Sequence, residues 1–421
     1  MNMDFHDVNV DRINMDALPR LTAEQTATRL GVKLETLYAY VARGRLTRVR
    51  TAEGSTFDAL EVERFAASRR RRDAPAGAQG GRSEGRPLMV IETDFALIED
   101  GELYYRGRRA TDLAAESFET VAHWALTGDW QPEIRFRPGA GMADVRRAVE
   151  SLPASAGDRD RQLIAVTALA SADPLRTSLD PASVAGAAER MVAGMVEALP
   201  LLRAEGEQET DPLALRLHRR LRTGLPAPSA VAALDAALVL LIDHDLAVST
   251  LAARAAASAR ATPYGVVVAG IGALDSPLHG NASRAAHRLL ARVVDGEEPA
   301  RVVADAVVGT GGPVPGFGQP LYPDGDPRAR ALLDLLGGDP DAGPVLAAVG
   351  SAARLLSDRT GALPNVDLAL GALTLAHGMR DDAGEVIFAT ARSIGFVLHA
   401  LAEYREPPLR LRPVGRYTGP T

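Results

Sequence analysis

Asp275-Ser-Pro-Leu-His279-Gly-Asn281 breaks an apolar, helix-patterned stretch with a proline, a histidine and a glycine in close succession. Proline cannot continue a helix and glycine loosens the backbone, so the segment reads as a loop leading into the next helix. Comparable breaks lie on either side. Leu240-Leu-Ile-Asp243-His244-Asp245 reads as polar residues inside a long apolar helix, with Ser249 and Thr250 following. Leu363-Pro-Asn365-Val-Asp367 reads as another loop entering an apolar helix. Pro313-Val-Pro-Gly-Phe-Gly-Gln319-Pro-Leu-Tyr322 precedes Asp326-Pro-Arg328. Any one of these reads more readily as structural, because a histidine on an apolar face is usually a hydrogen-bonded core residue. Together, His244, His279, Asp367 and the glycine turns look like an acid–base site.

The surroundings are mainly α. After Asp112 the apolar residues recur at helical spacing, with proline or glycine breaks between segments. Residues 88–106 alternate as strands, Met89 to Asp94, Phe95 to Ile98 and Leu103 to Tyr105, with a hairpin turn at Glu99-Asp100-Gly101. The chain has no phosphate-binding GxxxxGK[ST] loop, no strand-linked GxGxxG, no HExxH and no EF-hand loop. No two of its 8 histidines stand at helical ligand spacing, so no metal site is expected.

Composition narrows the class further. The 421 residues are 46% hydrophobic and 24% charged, an ordinary globular balance. There is no cysteine, which excludes disulfides, thiolate metal sites and cysteine nucleophiles. The acidic opening Met1-Asn-Met-Asp-Phe-His-Asp lacks the apolar core of a secretory signal. The longest apolar run, near Gly265 to Leu274, falls short of the roughly 18 residues a membrane span needs. A soluble cytoplasmic protein with no membrane partner is the expectation.

Charge is unevenly spread. The net value of −7 conceals 12 basic and 7 acidic side chains in residues 20–73, leaving the remainder near −12. Residues 1–19 read as a loose arm and 74–87 as a small-residue, polar linker. Between them, Thr22 to Leu30 carries a capping-box spacing at Thr22 and Gln25. Gly31 breaks it, Lys33 to Arg43 repeats helical spacing, Arg45 to Arg50 alternates, and Asp58 to Phe65 forms a last helix with Leu60 and Phe65 inward. Helix, glycine turn, helix and ribbon form the order of a winged helix-turn-helix. The stretch LTAEQTATRLGVKLETLYAYVARGRL resembles the MerR and excisionase type of DNA-binding domain. That resemblance implies Lys33, Thr36 and Tyr38 in the major groove and Arg48, Arg50 and Arg69 to Arg72 on phosphates. The alternative is a module used for protein contacts, or a relic.

Residues 88–421 resemble the citrate synthase family. The resemblance runs in order through IEDGELYYRGRRATDLAAESFETVAHWALTGDWQP, IDHDLAVST, SPLHGNAS, VPGFGQPLYPDGDPRA, LPNVDLALG, ARSIGFVLHALAE and LRLRPVGRYTGP. It implies a helical homodimer with a large domain and a small domain at about 281–378. It also implies condensation of acetyl-CoA, or a related acyl-CoA, with oxaloacetate to give citrate and CoA. No bound cofactor is implied, since acetyl-CoA is a substrate. Asp367 would remove the acetyl methyl proton and His279 would donate to the thioester oxygen. His244, Arg328 and Arg392 would hold the keto-dicarboxylate, with Arg412 reaching into the partner's site. Val314, Pro315, Gly316, Phe317 and Gly318 would present backbone groups to CoA, beside Asn365. One departure stands out: Gln319 replaces the histidine of the family's GFGHR or GYGHA motif. That histidine supplies a proton as the new alcohol forms, whereas a glutamine amide donates a hydrogen bond but no proton. Leu241 and Ile242 also differ from the family's residues there. The alternative function is a DNA-binding regulator that senses CoA or a dicarboxylate, with weak or no synthase activity.

Overall fold

A computed structural model describes residues 18–51, 54–73, 90–202, 208, 210–276, 280–310 and 313–419. The chain packs as two units, Met1–Leu88 with Ala282–Asp381 and Met89–Asn281 with Asp382–Thr421. The loop histidine His279 lies outside the described residues.

In the first unit, Thr22 starts helix Ala23–Leu30 as its sequence suggests. The Gln25 N–H donates to Thr22 Oγ1 at 3.2 Å, and the Thr22 N–H donates to Gln25 Oε1 at 2.8 Å. Gly31 ends the helix in the left-handed region, and helix Leu34–Ala42 follows. Strands Arg48–Thr51 and Gly54–Asp58 form a hairpin, and Arg20–Thr22 pairs on the other edge of Gly54–Asp58. Leu21, Leu37, Leu46, Phe57, Leu60 and Val62 fill the small core. Helix Ala59–Asp73 runs past the expected end at Phe65 and packs on helices Pro299–Thr310 and Gly343–Thr360. Arg69, expected on phosphate, instead donates to the Leu30 carbonyl at 2.8 Å and lies over the Tyr40 ring. Its charge therefore serves the open C-terminus of helix Ala23–Leu30.

In the second unit, Ala96–Glu99 and Glu102–Tyr105 form the hairpin, and a third strand, Arg108–Arg109, pairs on Glu102–Tyr105. The expected strand from Met89 to Asp94 does not form: residues 90–94 pair with nothing in a sheet, and Met89 is outside the described residues. Alternation alone cannot supply a hydrogen-bonding neighbour. The Tyr105 ring stacks on Phe95 at 5.0 Å and is fully buried. At the centre of the unit, helix Ala383–Tyr404 packs on Pro181–Glu197, Pro228–Leu240, Val248–Ser258 and Pro263–Leu274. It has the length and apolarity of a membrane span, yet 83% of its apolar window is buried inside the protein. Glu385, Arg392, His399 and Glu403 sit along it, all buried.

The stretch around His244 is also corrected. The apolar helix ends at Leu240 and the next begins at Val248, so Asp243 and His244 lie on a connecting segment and not inside a helix. Asp245 takes a left-handed backbone, φ 54°, which an aspartate tolerates and a continuing helix does not.

Candidate active site

Asp326 organises the polar cluster of the first unit. It caps helix Pro327–Leu336, with proline in the first helical turn, and is buried. Its carboxylate takes the Arg328 guanidinium as a fork, Nε to Oδ1 at 3.0 Å and Nη2 to Oδ2 at 2.8 Å. It also accepts the Val366 N–H at 3.1 Å, which ties the start of helix Val366–Ala376 to Arg328. Arg328 is 2% exposed and lies over the Tyr322 ring.

Asn365 joins two loops. As N-cap of helix Val366–Ala376 it accepts from the Asp367 N–H at 3.0 Å. Its own N–H donates to the Gly316 carbonyl at 2.9 Å and its amide donates to the Gly318 carbonyl at 3.0 Å. The Gly318 N–H returns a bond to the Leu363 carbonyl at 2.8 Å. Gly316 has φ 83°, and a Cβ there would stand 2.8 Å from the Leu368 Cβ, so a side chain would force the loops apart. Val314, Gly316 and Phe317 are buried, Pro315 is half-buried and Gly318 is exposed. Gln319 follows, half-buried; its Oε1 accepts from the Leu321 N–H at 3.4 Å.

Asp367 stands in the first turn of that helix, half-buried. Burial pushes its carboxyl up to about 6, opposed by the Arg328 charge and reinforced by Asp326. A carboxylate placed there accepts a proton near neutral pH, the property a general base needs.

In the second unit, His244 is 8% exposed and Arg392 2% exposed. The Arg392 Nε donates to the Leu241 carbonyl at 3.0 Å, and its guanidinium lies 4.8 Å from the Phe388 ring centroid. Asp243, beside His244, is fully buried. Burial alone would raise its carboxyl, but the His399 ring, the Arg392 charge and the His244 N–H hold it below the usual carboxylate range. The flanks of the His279 loop are stapled: Arg159 donates to Asn281 Oδ1 at 2.8 Å and pairs with Asp275 and Glu385. The Gly280 N–H bonds the Ser276 carbonyl at 3.1 Å. Within the second unit a histidine and a buried arginine bonded to its segment suit an anionic ligand, and within the first a carboxyl raised toward neutrality suits proton abstraction.

A family model described as "Citrate synthase, C-terminal domain" matches residues 85–414. The chain belongs to the citrate synthase family. It is 34% identical over 199 residues to the citrate synthase of Haloferax volcanii, covering 44% of this chain and 49% of that one. It is 26% identical over 353 residues to the 2-methylcitrate synthase of Mycobacterium tuberculosis, covering 79% and 89%. This chain thus spans about half the length of the first relative, 49%, and most of the second, 89%.

 

Among solved structures the chain resembles the ternary complex of carboxymethyl coenzyme A and oxaloacetate with citrate synthase from the thermophilic archaeon Thermoplasma acidophilum. The TM-score is 0.67 at 23% identity, covering 80% of this chain and 95% of that one, a likeness of fold.

Within this citrate synthase family chain, each unit gathers part of the expected set. Asp367, Arg328, Asn365 and the 314–319 loop are linked through Asp326 and Asn365 in the first unit. His244 and Arg392 are linked through the 241–244 segment in the second. Arg412 is exposed on the tail, its N–H on the Leu409 carbonyl at 3.1 Å. Lys33, Tyr38, Arg48 and Arg50 are exposed and Thr36 is half-buried. Among the described residues no group of three acidic or histidine side chains is placed to hold a metal. Sequence reasoning quoted Asp326 without giving it a role, and missed Arg159, Tyr105 and His399. The Asp-Pro pair before Arg328 is a helix-start signal that marks Asp326. His399 and Glu403, one turn apart in an apolar helix, are marked only by their polarity.

Proposed function

We propose that this chain condenses acetyl-CoA, or a related acyl-CoA, with oxaloacetate or another 2-oxo acid. The observation that carries the reading is Asp367, whose carboxyl is raised to about 6 at the head of a helix zipped to the 314–319 loop. Asp367 takes a proton from the acyl methyl while His279 donates to the thioester oxygen, so the enolate charge never stands uncompensated. The methyl carbon then bonds the keto carbon of the oxo acid, and the keto oxygen becomes a hydroxyl by gaining a proton. Water cleaves the thioester, the C–S bond breaks and CoA leaves as its thiol. His244, Arg328 and Arg392 hold the two carboxylates, with Arg412 supplied across a homodimer. Val314 to Gly318 and Asn365 cradle CoA.

Gln319 makes the acceptor side slower. Its amide polarises the keto carbonyl, but the alcohol proton comes from water, and a missing general acid costs about 10²–10⁴-fold. The test is oxaloacetate-dependent release of free CoA from acetyl-CoA, with His279→Ala as the control. Release no greater than that control sinks the reading.

Residues 20–73 carry a separate proposal: they bind DNA through Lys33, Thr36, Tyr38, Arg48 and Arg50. The exposure of Lys33, Tyr38, Arg48 and Arg50 supports it. The family membership supports condensation and does not support a pure regulator. A gel shift at controlled salt, repeated with Arg48→Ala/Arg50→Ala, tests the DNA contact; an unchanged shift removes it.

A further inference from the structure

Asp243, His399 and Arg254 form a buried chain of polar groups in the second unit, exposed by 0%, 2% and 1%. His399 Nε2 lies 3.0 Å from Asp243 Oδ2, and its Nδ1 lies 3.2 Å from Arg254 Nη1. A guanidinium carries donors only, so Nδ1 accepts and the proton sits on Nε2, which donates to Asp243. Arg254 is itself fixed by Glu403, Nε at 3.1 Å and Nη2 at 3.0 Å. Glu403 also takes Arg410 at 2.8 and 2.7 Å. The tautomer is set on one side of the ring and read on the other.

Asp243 is the residue before His244, and its backbone is clamped. The Tyr105 hydroxyl donates to the Asp243 carbonyl at 3.2 Å. Helix Ala383–Tyr404 meets the same segment on successive turns. Arg392 bonds the Leu241 carbonyl, a Cβ on Gly395 would stand 2.1 Å from the Ile242 oxygen, and His399 bonds Asp243. Residues 392, 395 and 399 share one helix face. A purely space-filling role would be served by an apolar side chain, since each buried polar group costs stability unless fully satisfied.

We propose that His399 is a positioning residue for the 2-oxo acid: by holding Asp243 in one orientation it sets His244 and balances the charge of Arg392. The inference rests on the condensation reading above.

Two substitutions separate the two ring contacts. In His399→Asn the amide oxygen takes the place of Nδ1, keeping Arg254 and losing Asp243. In His399→Gln the amide nitrogen takes the place of Nε2, keeping Asp243. CoA release gives kcat and both KM values, calorimetric titration gives oxaloacetate affinity, and thermal unfolding is followed on the same samples. His399→Asn should raise the oxaloacetate KM about tenfold, the scale of one hydrogen bond to a charged group, with the acetyl-CoA KM unchanged. His399→Gln should stay within about twofold of native. Native oxaloacetate KM in His399→Asn, or equal loss in both variants, overturns the inference alone. A native protein that neither releases CoA nor binds oxaloacetate overturns the condensation reading and this inference with it.

Discussion

Asp367 and Asp243 are the same residue type, the first half-buried and the second fully buried, and their environments drive them in opposite directions. Asp367 is raised to about 6 because burial is only partly offset by Arg328 and is reinforced by Asp326. Asp243 is held low because His399, Arg392 and the His244 N–H together outweigh burial. On the proposed condensation, the raised carboxyl takes a proton and the lowered one remains a fixed charge. The surroundings differ to match. Asp367 rests on loops joined through backbone groups, whereas Asp243 ends a chain of ionic side chains.

Breaking each carboxylate should expose the difference. The largest effect is on turnover: Asp367→Asn should lower CoA release by about 10²–10⁴-fold in a steady-state assay. Asp243→Asn should instead cost about 3–5 kcal/mol of stability, read by denaturant unfolding at pH 8, because it unpairs a buried charge network. Asp367→Asn should move stability the other way. A carboxyl whose folded pKa lies above its unfolded value loses stability as pH rises from the unfolded toward the folded value, and the loss is complete above about 6. The neutral amide escapes that loss, so a gain of about 1–3 kcal/mol at pH 8 is expected, shrinking toward pH 4.

Smaller effects sharpen the comparison. Gln319→His should raise kcat by about 10²-fold by restoring a proton donor on the acceptor side, with Asp367 untouched. The pH profile of kcat/KM should fall about tenfold per unit below pH 6, as the Asp367 carboxyl takes its proton. A profile flat to pH 5 would separate the base from Asp367.

Local features of this fold were legible in the sequence. The Thr22–Gln25 capping box and the turn at Gly101 need only neighbouring residues, and both form. Asn365 and Asp367 follow a proline turn, and the helix begins at Val366, as that pattern implies. What was not legible depends on distant partners. His399 meets Asp243 across 156 residues, and Tyr105 meets Asp243 across 138. No local spacing announces such a contact. The strand expected before Asp94 had alternation but no neighbour, and the helix expected through His244 had apolar flanks but a left-handed Asp245.

The most direct measurement is free CoA released from acetyl-CoA on addition of oxaloacetate, for the native chain beside Asp367→Asn at pH 8. Slow but oxaloacetate-dependent release from the native chain, removed in the variant, is the predicted result. No release from the native chain, or equal release from both, would contradict the assignment of Asp367 as the base of a condensing enzyme.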